Sequence, residues 1–151
     1  MGNELLYHFF SDDDFLDISN KIKEMEKITA GEIRVAVKEE LPLLKKKKSI
    51  KDLAAEEFYN LGMADTRDKT GILIYVLLSQ RKFYILADSG INEKVEQKTW
   101  DTIRDEMTEE FKHGHYLKGI INTIEKVGTI LGKHFPIKSD DTNELSNKVV
   151  F

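Results

Sequence analysis

The chain has 151 residues, of which 40% are hydrophobic and 33% charged, a balance typical of one globular domain with a sizeable core. Its net charge of −4 argues against a nucleic-acid-binding protein, and the absence of cysteine excludes disulfides, thiolate catalysis and cysteine-ligated zinc. The longest apolar run, residues 72–78, is too short to span a membrane, and no secretory signal is visible. We therefore expect a cytoplasmic protein.

The first third of the sequence predicts a helix followed by a strand. The segment SDDD is typical of a helix start, and apolar residues recur at helical spacing over residues 12–29. In the next segment, GEIRVAVKEE, the apolar residues Ile33, Val35 and Val37 alternate with Arg34, Ala36 and Lys38. This alternation predicts a strand that is buried on one face only.

A lysine-rich linker and a second helix come next. The linker LPLLKKKK has no interleaved aromatic residue on which a base could stack, so a solvated linker is favoured over a site for an acidic partner. Ser49 is placed to cap a helix over residues 50–61, and Gly62 is placed to end it.

The second half predicts a hairpin and two long helices. GILIYVLLS is a continuous apolar run of strand length, which indicates a strand buried on both faces. Only QRK separates it from the next strand, FYILAD, so the two strands should form a hairpin. Helical patterns follow over residues 95–112 and 115–134, and the HGH segment between them is interpreted as a helix cap rather than a catalytic motif.

The order of these elements predicts an α/β fold with a small mixed sheet between layers of helix. The first two strands, joined by a helix, should be parallel, and the third should run antiparallel beside the second. The loop MADTRDKTG enters the second strand, and the turn ADSGIN leaves the third. Both should therefore lie at the same end of the sheet.

Two acidic segments are candidates for an ion site. Asp88 ends an apolar strand beside Gly90, and the residues alone leave a turn-forming role and a cation-binding role equally open. The segment DDTNEL, residues 140–145, offers only hard oxygen ligands, which suit calcium or magnesium. It is not an EF-hand loop, and its spacing alone favours a solvated acidic tail.

Five parts of the sequence occur together in a characteristic order: AGEIRVAV, GILIYVLLSQRKFYILADSGINEKV, Trp100, FKHGHYLKGI and FPIKSDDTNEL. Together they resemble the stand-alone cytoplasmic branch of the TPM domain family, whose relatives include a photosystem-repair phosphatase domain of the thylakoid lumen. It implies a single TPM domain over residues 1–151, built as a three-layer αβα sandwich around a mixed sheet of three to four strands. It also implies that residues 136–151 fold back onto the sheet end.

The resemblance further implies divalent-cation binding and an acid phosphatase activity. The family's motif positions match Asp88 with Gly90, Asp141 with Asn143 and Glu144, and Glu32 in the first strand. The expected metal ligands are therefore Asp88, Asp140, Asp141, Asn143, Glu144 and Glu32. The sequence departs from the family pattern at Lys69, Thr70, Ala30, Ala36, Ala87 and Asn147.

The favoured function is calcium or magnesium binding by a metal-responsive binding or regulatory module, whose protein partner is unknown. The alternative is a weak metal-dependent acid phosphatase, although no nucleophile–base pair is visible in the sequence and no catalytic residue is assigned. A partner-binding domain with an empty site is the third possibility.

Overall fold

The computed structural model describes residues 4–137 and 147–151. In these residues the helices are α1 (Glu4–Phe9), α2 (Asp12–Glu26), α3 (Ile50–Asn60), α4 (Ser89–Asn92), α5 (Gln97–Lys112) and α6 (Tyr116–His134). The strands are β1 (Glu32–Lys38), β2 (Gly71–Leu77) and β3 (Lys82–Ala87). Short 3₁₀ turns lie at Leu43–Lys45, Met63–Asp65 and Leu78–Gln80.

The three strands form one mixed sheet in the order β1-β2-β3. Strand β1 pairs with β2 in parallel, and β2 pairs with β3 in the antiparallel sense, as the sequence predicts. Every residue of β2 is buried, which explains its continuous apolar run. At the outer edge of β1, Val150 accepts a hydrogen bond from the Val37 amide (2.7 Å) and donates one to the Val35 carbonyl (2.9 Å). The last residues of the chain thus pair with the sheet edge.

Helices cover both faces of the sheet, which gives the predicted αβα sandwich. One face packs against α2, α5 and α6 through a cluster that includes Ile33, Ile74 and Ile124. The other face packs against α3 through a smaller cluster that includes Leu53, Leu73 and Tyr75. Alternate residues of each strand enter the two clusters, as expected for a sheet buried between layers.

The prediction that β1 is buried on one face only was wrong. Glu32 is 2% exposed and Arg34 is 9% exposed, although both lie on the face with the polar alternation. Ala36 on that face belongs to a cluster with Leu41, Leu53 and Val150. Residues remote in the sequence therefore cover a strand face that its own sequence marks as polar.

The predicted helix boundaries hold approximately, with two differences. Helix α2 ends at Glu26 rather than near residue 29, and Ile28 beyond it is 47% exposed. Helix α1 was not predicted. The capping predictions are confirmed, because Ser11 and Ser49 each accept a hydrogen bond from the amide three residues on (3.1 Å in both cases).

Across residues 4–137 and 147–151, none of the helices combines the length and the apolar character needed to cross a bilayer.

The contact between α2 and α6 depends on Gly128. A β-carbon at this position would lie 2.6 Å from Cβ of Met25, which is too close for two carbon atoms. We expect Gly128→Ala to lower the free energy of unfolding by about 1–3 kcal/mol, because the two helices must move apart. Urea denaturation measures this, with the exposed neighbour Thr129→Ala as control. Equal stability of Gly128→Ala and the wild type would contradict this account of the helix contact.

Candidate functional site

Hydrogen bonds align the ends of the three strands at one end of the sheet. Glu32 is the register partner of Gly71, and the Asp88 amide donates to the Gly71 carbonyl at 3.0 Å. The backbones of Glu32 and Asp88 thus flank Gly71, about 10 Å apart, since neighbouring strands lie 4.7–4.9 Å from each other. The prediction that the loop before β2 and the turn after β3 share one end of the sheet is confirmed. We call this region, from Glu32 across Gly71 to Asp88, the acidic sheet end.

Only one of the two carboxylate oxygens of Asp88 has a hydrogen-bond partner within the described part of the chain. Its Oδ1 accepts a hydrogen bond from the Ser89 amide at 2.7 Å, which caps the short helix α4. Its Oδ2 is buried, and no hydrogen-bond partner for it lies among residues 4–137 and 147–151. A buried carboxylate oxygen without a partner is costly, so this atom is the one at the acidic sheet end that most needs a ligand.

Gly90 brings the two loops of this end into close contact. A β-carbon on Gly90 would lie 2.3 Å from the Asp68 carbonyl oxygen and 2.6 Å from that of Lys69. No side chain fits there, so only glycine permits the approach. The Lys69 ammonium donates to the Ala64 carbonyl at 2.5 Å and stabilises the loop itself. Backbone carbonyl oxygens of the first loop therefore lie against the turn that begins with Asp88.

Two acidic residues, Glu26 and Glu32, lie close together at the start of β1. Glu26 was not among the site residues predicted from the sequence. Oε2 of Glu26, at the end of α2, accepts a hydrogen bond from the Ile33 amide at 3.0 Å. Burial raises the pKa of Glu26 to about 8; the adjacent Glu32 also raises it, whereas the Ile33 amide and Arg34 oppose the rise. Burial likewise lowers the pKa of Arg34, against the attraction of Glu26, Glu32 and Glu57. Glu26 thus carries a proton near neutral pH and hydrogen-bonds to Glu32.

The predicted metal ligands fall into two groups. Glu32 and Asp88 lie on the acidic sheet end, whereas Asp140, Asp141, Asn143 and Glu144 lie outside the described residues. The chain approaches this segment through Pro136, which bridges to Thr29 just before β1, and it resumes at residue 147 before pairing with β1 at Val150. In the part of the chain that the structure describes, no three acidic or histidine side chains converge to hold a metal.

The two histidines of the HGH segment belong to a helix cap, as predicted. His113 follows the last turn of α5, and Gly114 adopts the left-handed conformation (φ 76°) that ends many helices. Nδ1 of His113 lies 2.9 Å from the Glu109 carbonyl oxygen. The segment adjoins Phe111, which contacts Phe83 at the start of β3 (ring centroids 5.4 Å apart). It therefore lies at the opposite end of the sheet from Asp88.

The lysine-rich linker is partly held by ion pairs. Lys45 lies 3.2 Å from a carboxylate oxygen of Glu56, and Lys48 contacts the other oxygen of the same group. Lys45 belongs to a 3₁₀ turn in which Leu43 is 80% exposed, and the neighbouring Leu44 is 94% exposed. The linker is thus solvated, as predicted, but tied to α3.

The raised pKa of Glu26 predicts how stability depends on pH. Between its value in the unfolded chain, near 4.5, and about 8, the folded protein holds a proton that the unfolded chain lacks. The stability that this proton contributes is complete at low pH and is lost as the pH rises to about 8. Glu26→Gln keeps an acceptor for the Ile33 amide and removes the titration. We expect the variant to gain stability relative to the wild type from pH 5 to pH 8, by up to about 1.4 kcal/mol per pH unit.

Urea denaturation in the presence of a chelator, at several pH values, measures this difference. The control is Glu24→Gln, an exposed substitution on the same helix that should keep the wild-type dependence on pH. Parallel curves for Glu26→Gln and the wild type would show that Glu26 does not hold the proton.

The solved structures that resemble this chain include the following three. The NMR structure of the BA42 protein from the psychrophilic bacterium Bizionia argentinensis has a TM-score of 0.84 and 37% identity, over 94% of each chain. The N-terminal domain of a P. gingivalis protein has a TM-score of 0.67 and 16% identity, over 84% of this chain and 79% of that one. The N-terminal domain of the cg2496 protein from Corynebacterium glutamicum has a TM-score of 0.59 and 10% identity, over 94% and 80%. The last two likenesses show the fold alone.

No curated protein matches the sequence. The family model for the TPM domain matches residues 6–130, which is most of the chain and includes all three strands. Together with the similarity to the BA42 protein, this match shows that the chain belongs to the TPM domain family.

Proposed function

We propose that the protein binds a divalent cation, calcium or magnesium, at the acidic sheet end and works as a metal-responsive binding or regulatory module. The observation that carries this proposal is the buried Oδ2 of Asp88, which has no partner in the described part of the chain. A cation would supply the missing interaction and offset the cost of burying a carboxylate.

The surrounding atoms fit a hard cation. In the proposal, Asp88 and Glu32 supply carboxylate oxygens, and the loop beside Gly90, whose carbonyl oxygens lie close to the same turn, supplies backbone ligands. Calcium takes six to eight oxygen ligands, and magnesium also prefers oxygen. No cysteine is present, so the softer thiolate sites of zinc and copper are excluded.

The remaining ligands in the proposal come from Asp140, Asp141, Asn143 and Glu144. The described chain borders this segment at Pro136, which bridges to Thr29 beside the start of β1. In the proposal the segment binds the cation together with Asp88, so that the ion links two parts of the chain. Release of the ion would then free the acidic segment, which is how the module would respond to metal.

The alternative function, a weak metal-dependent acid phosphatase, has less support. The histidines of the HGH segment cap a helix at the opposite end of the sheet, and the Lys69 ammonium is engaged by the Ala64 carbonyl. The cation would then be the strongest electrophile available to a phosphoryl group. Binding without turnover is therefore the function that we propose.

The proposal predicts that calcium stabilises the protein through Asp88. With chelator-stripped protein, we expect millimolar calcium to raise the melting temperature by several degrees, because a ligand that binds only the folded state stabilises it by mass action. Asp88→Asn should lose most of this shift, although its side-chain oxygen can still accept from the Ser89 amide. Thermal melts with chelator, calcium and magnesium measure the effect.

The matched control is Asp13→Asn, which removes one exposed carboxylate from the first turn of α2. It should keep the wild-type shift with calcium. An unchanged melting temperature in the wild type, or equal shifts in both variants, would contradict the site.

Hydrolysis of p-nitrophenyl phosphate by the same samples tests turnover: we expect none, or weak activity that chelation and Glu144→Gln both abolish. Robust activity that follows the metal concentration would favour the enzyme instead.

A further inference from the structure

A cavity of about 350 Å³ opens at the end of the sheet opposite Asp88. It lies between the turn joining β2 to β3, the C-terminal ends of α1 and α5, and the first residue of α6. Four aromatic residues line it: Phe9, Phe83, Phe111 and Tyr116. It shares no residue with the acidic sheet end.

The aromatic wall of this cavity is preformed. Ring centroids lie 4.6 Å apart for Phe9 and Tyr116, 5.1 Å for Phe111 and Tyr116, and 5.4 Å for Phe83 and Phe111. The ring planes meet at 87°, 66° and 65°, the edge-to-face arrangement that aromatic side chains favour. These contacts fix rings that come from four different elements, α1, β3, α5 and α6, so an apolar ligand would enter without first ordering the wall.

The charged residues that line the cavity are all basic. Arg81, Lys82 and Lys112 line it, and no acidic side chain does. None of the three forms an ion pair with a residue in the described ranges, although the whole chain carries a net charge of −4. A positive rim on an apolar cleft is complementary to a ligand with an apolar body and one anionic group.

The backbone conformation of Arg81 supports a role for its side chain in binding the anionic group. Its φ of 52° lies in the left-handed region, which glycine and asparagine adopt more readily than arginine. The turn between β2 and β3 therefore gives no backbone reason for arginine at this position. The guanidinium lies 5.7 Å from the centre of the Phe9 ring, at the cavity wall. There its two-pronged hydrogen-bond donors suit a carboxylate.

We propose that this cavity binds a small aromatic carboxylate, with its ring against the four aromatic side chains and its carboxylate at Arg81. The volume is at the small end of the range of about 300–1,000 Å³ that ligand pockets occupy, which suits one or two fused rings. The site is separate from the proposed cation site, and neither depends on the other.

The test compares indole-3-acetate with indole-3-acetamide, which has the same shape and no charge. Amide resonances of the full-length ¹⁵N-labelled protein are followed while each probe is added to 5 mM, with chelator present. We expect indole-3-acetate to shift resonances within residues 77–83 and 108–116 and to bind at roughly 1 mM or tighter, as the ligand efficiency of small molecules allows. The neutral amide should bind at least fivefold more weakly.

Three variants locate the site. Arg81→Asn removes the charge at a backbone position that asparagine tolerates. The variant should bind indole-3-acetate at least fivefold more weakly than the wild type and should bind indole-3-acetamide with nearly the same affinity. Thr108→Trp should fill the cavity, which Thr108 lines, and abolish binding of both probes. Lys51→Gln, an exposed substitution on α3, removes one positive charge elsewhere and should bind as the wild type does.

Any one of the following results would overturn the proposal: no clustered shifts with indole-3-acetate, equal affinities for acid and amide, wild-type binding by Arg81→Asn, or wild-type binding by Thr108→Trp. If Arg81→Asn does not fold, Lys112→Gln takes its place with the same expectation of weaker binding to the acid. Shifts of residues 32, 71 and 88 instead of the cavity residues would also contradict the proposal.

Discussion

The pairing of β2 with β1 on one side and β3 on the other determines where both ends of the sheet place their side chains. Every residue of β2 is buried, and its register sets Glu32 on one side of Gly71 and Asp88 on the other. A slip by one residue would turn the apolar residues of a neighbouring strand to the wrong layer, so the register is strongly specified by the core. This register fixes which residues lie at the acidic sheet end and which lie at the opposite end, beside the aromatic cavity.

Two buried carboxyl groups, those of Glu26 and Asp88, distinguish the acidic sheet end from the rest of the protein. Glu26 accepts the outward amide of Ile33 and keeps its proton near neutral pH because it is removed from water. Asp88 satisfies one oxygen through the Ser89 amide and leaves the other buried without a partner in the described chain. Such groups cost stability in the folded protein, and a bound cation is the simplest interaction that would offset the cost at Asp88.

Local patterns in the sequence predicted the elements that depend on local chemistry. The apolar run of β2, the short QRK link and the serine caps of α2 and α3 each specify their structure within a few residues. The burial of Arg34 could not be predicted in this way, because α3 and Val150 reach that face from distant parts of the chain. Glu26 was missed for the same reason: its sequence neighbours are those of an ordinary exposed helix end. The ligand role of residues 140–144 stays a prediction.

We propose that one cation binds the Asp88 turn and the segment at residues 140–144 together. The most direct measurement is a calcium titration of the chelator-stripped, full-length protein, followed by the backbone amide resonances of every residue. We expect the amide resonances of residues 88–90 and 140–144 to shift together along one saturating curve, and those of Glu32 and Gly71 to shift with them. Shifts confined to residues 140–144, or spread weakly over exposed carboxylates such as Asp12 and Asp13 at the start of α2, would contradict it.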